Sequence, residues 1–154
     1  MEKYAKTGAN ANAFTSFDKT CYIFTATENV DESLDILLDF VTKPYFTPQT
    51  VQKEMGIIGQ EIKMYDDSAN WRMLFGLLEG LYVNHPVRDD IAGTVESIAE
   101  IDDKLLYDCA RGFYSPSQMI LCVAGNITTE QVLAACQRAG FTSDVADVER
   151  IRPE

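Results

Sequence analysis

The sequence predicts an α+β fold in which helices cover one face of an antiparallel sheet. Three observations lead there. A stretch rich in β-branched and aromatic residues, "NANAFTSFDKTCYIFTAT" (Asn10 to Thr27), lies near the start of the chain. A short apolar run, "QMILCVAGN", lies near its end, and both have strand composition. Elsewhere apolar residues recur at helical spacing, with no internal repeat and no low-complexity tract.

Taken in order, Asn10 to Thr27 reads as two strands with a turn or bulge near Ser16 to Lys19. In "DESLDILLDFVTK", Leu34, Leu37, Leu38 and Val41 fall on one helical face, Asp31 is the expected N-cap, and Pro44 stops the helix. Thr47 followed by Pro48 has the form of an N-cap and first helical residue, and opens a long helix to about Asp66. "NWRMLFGLLEGLYVN" predicts a helix burying Trp71, Leu74, Phe75, Leu78 and Leu81, and "HPVRDDIAGT" a loop. "IDDKLLYDCARGFY" is a helix capped by Asp102, and "QMILCVAGN" a strand running into a Gly-Asn turn. "TTEQVLAACQRAG" opens on a capping box, Thr128 with Gln131, and ends on Gly140. Residues 1–142 thus read as a partial α+β domain and 143–154 as a polar tail or linker.

At 154 residues the chain is one domain's worth, enough to bury roughly two thirds of its surface. Its 24 acidic and 13 basic residues give a net charge of −11. That balance disfavours nucleic acid and anionic membrane surfaces as partners. Cys21, Cys109, Cys122 and Cys136 show no C-x-x-C spacing and sit among apolar residues, as buried, reduced thiols do. No apolar run spans a bilayer, and "EKYAKTGAN" after Met1 is not a signal peptide. The expected location is cytoplasmic.

The chemistry concentrates in "EMGIIGQEIKMYDD", Glu54 to Asp67. With Glu54 at zero and about 100° per residue, Glu61 falls near −20°, with Ile57, Tyr65, Ile58, Val51 and Ile62 on the same arc. Both glutamates are therefore expected in the middle of an apolar face. An unpaired carboxylate there is costly or takes up a proton. It could be a buried ion pair with Arg72, Arg88 or Arg111, or it could serve metal ligation or acid–base chemistry. Metal needs further ligands. The one histidine, His85, sits in a proline-bounded loop, and the thiols lack metal spacing. A zinc ion on Glu61 would have to draw its other ligands from outside this chain.

"NANAFTSFDKTCYIF", Glu54-x6-Glu61 with the following "NWRM", "NHPVRDDIAGT" and "FYSPSQMILCVAGNI" occur in the order used by the insulinase/pitrilysin family. From about Gly8 to Phe141 the chain resembles these inverzincin zinc peptidases, which include insulin-degrading enzyme and the mitochondrial processing peptidases. It is most similar to a bacterial cytoplasmic member. The resemblance implies that Glu61 is a zinc ligand, that Glu54 supports the site from one layer out, and that Asn12, Ala13 and Phe14 lie on the edge strand to which a peptide substrate adds. In the family an H-x-x-E-H motif supplies two histidine ligands and the general base. These 154 residues contain no such motif, and the resemblance would place it just before Met1, together with the first strands.

The implied reading is a fragment of a zinc-dependent metalloendopeptidase domain, inactive alone and not expected to hold zinc tightly. Its intact parent would cleave peptides with zinc-activated water. A second homologous half is the implied partner. Self-association is expected as well, to cover an exposed sheet edge and apolar arc. The alternative is a non-catalytic binding or assembly module of the same fold with no metal site.

Overall fold

In the computed structural model, which describes residues 2–141, the elements run α1 (Glu2–Thr7), β1 (Asn10–Thr15), β2 (Thr20–Thr25), α2 (Val30–Thr42), α3 (Pro48–Asp66), α4 (Ala69–Leu81), α5 (Val95–Ile98), α6 (Asp103–Phe113) and α7 (Thr129–Arg138). Three-residue 3-10 turns occur at Pro86–Arg88 and Pro116–Gln118. The fold is α+β: a small antiparallel sheet flanked by helices. The expected tail, 143–154, lies outside the described residues. The described residues divide into two compact units, one made of 2–45 and 108–141, the other of Phe46–Tyr107.

The first unit is organised by the β1–β2 hairpin, with Asn10 opposite Thr25 and Thr15 opposite Thr20. Ser16 N–H donates to the Lys19 carbonyl at 2.8 Å and closes the expected turn. Leu34, Leu38 and Ala135 form the core where α2 meets α7, with Phe24, Ile127, Val132, Cys136 and Phe141 packed around it. Burying a leucine side chain contributes roughly 1.5–3 kcal/mol, so Leu34 and Leu38 anchor this unit.

The helix α1 has no apolar periodicity that would predict it. It is held by a short buried polar chain: Ser33 Oγ donates to Thr7 Oγ1 at 3.1 Å, and Asn29 Nδ2 to the Thr7 carbonyl at 3.2 Å. Tyr4 stacks on Phe24 with ring centroids 6.0 Å apart. Asn29, in the left-handed region at φ 53°, takes the N-cap position of α2. Asp31, expected there, instead occupies the first turn, where its charge still complements the helix dipole. α7 begins with the expected capping box. It ends in a Schellman arrangement, with Gly140 N–H on Gln137 O and Phe141 N–H on Cys136 O; Gly140 supplies the positive φ of 87° that this turn requires.

The second unit is built on α3, which starts at Thr47 and Pro48 and ends at Asp66 as the sequence predicts. Val51 and Ile62 are its buried residues. Ile98 of α5 is also buried, and a Cβ added at Gly59 of α3 would meet its Cδ1 at 3.9 Å. Gly93 is needed in the turn before α5: its φ is +70°, and a Cβ there would lie 2.8 Å from Ser97 Oγ.

Three expectations are corrected. "QMILCVAGN" forms no strand among the described residues. Its composition favours an extended chain, but a strand exists only where a neighbour completes the ladder. On α4 Phe75 is buried, whereas Leu74 and Leu81 are exposed; periodicity marks an apolar face without saying how much of it is covered. The cysteines are free, but Cys21, Cys109 and Cys136 are only half-buried and Cys122 is exposed.

Candidate functional site

The two glutamates of α3 are exposed, not enclosed. The covered side of α3 is formed by Val51, Met55, Ile58, Gly59, Ile62 and Tyr65, an arc centred roughly 75° from Glu54 on a helix of about 100° per residue. Glu54 and Glu61 flank that arc. Beyond them Ile57 and Met64 are exposed, at 44% and 61%. The carboxylates therefore form a stripe between a covered apolar seam and an uncovered one. The helical wheel, which counts all isoleucines alike, put them in the middle.

None of the three arginines considered as partners meets these carboxylates. Arg88 Nη1 donates to the Val83 carbonyl at 2.7 Å, Arg111 pairs with Asp108, and Arg72 has no ion pair among the described residues. Neither Glu54 nor Glu61 has an ion pair or a side-chain hydrogen bond there. Of the two alternatives the sequence left open, the buried ion pair is absent among the described residues: both carboxylates are solvated and carry no desolvation cost needing a cation.

Past Glu61, the C-terminal end of α3 carries a brace. Tyr65 stacks on Trp71 with centroids 4.5 Å apart and an interplanar angle of 20°, and Trp71 tilts against Phe75 at 5.0 Å. Trp71 Nε1 donates to Asp90 Oδ2 at 2.5 Å. The other oxygen, Asp90 Oδ1, accepts from Ala92 N–H at 2.9 Å. Asp90 thereby ties the "RDDIAGT" loop to the "NWRM" end of α4, so two motifs that share only their order in the sequence meet in space. The role of Asp90 was not among the sequence readings. The loop's two consecutive aspartates, beside a helix whose Trp needs a partner for its N–H, were the available signal.

Asn12, Ala13 and Phe14 lie in β1, in the other unit. All of β1 except Ala11 is exposed. Asn12 Oδ1 accepts from Ala13 N–H at 2.9 Å, an engagement of an edge-strand donor by its own neighbour. His85 is spent locally: Nδ1 accepts from Val87 N–H at 3.1 Å and shapes the 3-10 turn.

Zinc sites combine three protein ligands with a water, or four protein ligands. Among the described residues no group of three or more His, Cys, Asp or Glu is placed to hold an ion. The donors present, two solvated glutamates on one helix, do not by themselves make up such a site.

The fold and the motif order define a part of a zinc-metallopeptidase domain. The chain belongs to the insulinase family (peptidase family M16), which matches residues 1–95. It is 49% identical over 154 residues to YmfH, an uncharacterized zinc protease of Bacillus subtilis (strain 168), covering all of this chain and 36% of that protein. An M16-like peptidase from Alicyclobacillus acidocaldarius superposes with a TM-score of 0.84 at 37% identity, over 99% of this chain and 35% of that one. A protease from Helicobacter pylori shares the fold, with a TM-score of 0.82 at 24% identity over 99% of this chain and 37% of that one. The chain thus spans about a third of the length of the relatives it matches. No helix among the described residues is long and apolar enough to cross a membrane.

Proposed function

We propose that this chain is the part of a cytoplasmic zinc metalloendopeptidase that supplies the third metal ligand and the peptide-docking strand, and that it does not hydrolyse peptides by itself. Glu61 is the ligand, and Glu54, two helical turns earlier, supports it. Asn12, Ala13 and Phe14 receive the peptide as an added strand, through main-chain hydrogen bonds. A second homologous half is the partner that encloses the substrate.

The observation that carries this reading is the pair of solvated carboxylates on α3, without a side-chain partner among the described residues, in a chain of this family. A glutamate that ligates a metal has to face the other donors, so it gains nothing from a partner within its own helix layer. Calorimetric titration of zinc chloride tests the reading. The chain alone is expected to show no stoichiometric binding. Fused behind the upstream region of the YmfH relative, it is expected to bind one zinc. Glu61→Gln should abolish that binding, and Glu54→Gln should weaken it about 10- to 100-fold, as outer-layer changes do. Stoichiometric binding by the chain alone, lost in Glu61→Gln, would overturn the division of ligands. No binding by the fusion would favour a non-catalytic module of the same fold.

A further inference from the structure

Phe46, the residue before the Thr47 cap of α3, is gripped by a side chain 61 positions further along the chain. Tyr107, on α6, accepts from the Phe46 N–H at 3.0 Å and donates to the Phe46 carbonyl at 3.3 Å. One phenol oxygen thus spends both its capacities on one residue. The two rings meet edge to face, with centroids 5.1 Å apart. Both residues are half-buried, and both belong to the second unit. These bonds are not needed to start the helix. The Thr47–Thr50 capping box already serves its first turn, and Pro48 presets the backbone there. What the phenol adds is a tie to a second element.

The far end of α3 is held as well, where Tyr65 stacks on Trp71 and the Trp71 indole is bonded to Asp90. Between these ties lie Glu54 and Glu61, whose carboxylates have no side-chain partner among the described residues. Where they point therefore follows the backbone of α3. With a helix radius of about 5–6 Å including side chains, a rotation of α3 by about 20° displaces a carboxylate by roughly 2 Å. We infer that Tyr107 is a positioning residue: its hydroxyl fixes the rotational setting of α3 and thereby where Glu54 and Glu61 are presented. One oxygen bonded to both the N–H and the carbonyl of Phe46 resists rotation of that residue about the helix axis in either sense, which a single bond does not. The functional consequence rests on the metal-ligand role proposed for Glu61, since a ligand has to meet the other donors at a fixed distance.

Tyr107→Phe removes the hydroxyl and keeps the ring. In the 154-residue chain, backbone dipolar couplings measured by NMR should show α3 reoriented against the rest of its unit, with an unchanged circular dichroism spectrum. In the fusion behind the upstream region of the YmfH relative, titration with zinc chloride should show affinity lowered about 3- to 10-fold, less than for a residue bonded to the ligand itself. Leu34→Met, in the other unit, should leave that affinity unchanged, so a general loss of stability does not reproduce the effect. Unaltered couplings along α3 in Tyr107→Phe would overturn the inference. So would equal zinc affinity with and without the hydroxyl, which leaves Glu61 a ligand, or an equal loss in Leu34→Met. A parent fusion that binds no zinc overturns the role of Glu61 and the functional consequence with it, while the couplings still decide whether Tyr107 sets α3.

Discussion

Replacing Asp90 by alanine should loosen the second unit by a readable amount. Two half-buried donors, Trp71 Nε1 and Ala92 N–H, converge on its carboxylate. A hydrogen bond to a charged group contributes about 1.5–3 kcal/mol, and solvent replaces part of that at half-buried positions, so the two together come to roughly 2–3 kcal/mol. With a urea dependence of about 1–3 kcal/mol per molar, the midpoint should fall by ~1 M. Asp90→Asn keeps one acceptor oxygen and should cost about half as much. The chain has one tryptophan, so its emission reports on this brace directly. Loss of the Asp90 bond should free the indole and shift the spectrum before the helices melt by circular dichroism. A double-mutant cycle of Asp90→Ala with Trp71→Phe, followed by circular dichroism, should give a coupling of about 1–2 kcal/mol. An Asp90→Ala chain with the parent's midpoint and emission would refute the brace.

Leu34 is only 1% exposed, so Leu34→Ala should destabilise the first unit by about 2–5 kcal/mol in urea titration, while Leu34→Met should cost less than about 1.5. Gly93→Ala places a Cβ 2.8 Å from Ser97 Oγ at φ +70°; a loss of at least about 1 kcal/mol is expected by thermal melting. Burial, then the hydrogen bond to the Tyr114 hydroxyl and its charge, push the Tyr22 phenol well above its ordinary 10.0. The folded state thus favours the protonated phenol. That contribution is fully present below pH 10.0 and is lost as pH rises above it. Stability measured from pH 9 to 12 should fall less steeply in Tyr22→Phe, the remainder including Tyr4, which burial also shifts upward.

What could be read from the sequence was local. The hairpin, the Thr47–Pro48 start of α3, the Asp102 cap and the Thr128–Gln131 capping box each depend on residues within a few positions of one another, and each is present. The cover over an element was not legible. Glu54 and Glu61 share a helical arc with isoleucines, but only an apposed element decides which part of that arc is dry, and α5 reaches the Gly59 side. "QMILCVAGN" shows a propensity, whereas pairing needs a second strand. The helix α1 is not legible in the sequence because its stability comes from Tyr4 and Thr7 meeting residues twenty or more positions away. The family motifs were readable as an ordered set, but the Trp71–Asp90 bond that joins two of them depends on the loop's path in space.

The nineteen residues of α3 separate two kinds of selective constraint. Val51 and Ile62 answer to folding, since a change there empties or overfills packed space. Glu54 and Glu61, whose side chains are solvated and make no ion pair among the described residues, answer to no such demand. Mutational drift at these two positions would leave the fold intact, so the role proposed for them can be lost or retuned without passing through an unstable intermediate. A helix arranged in this way lets the fold and the proposed role vary independently.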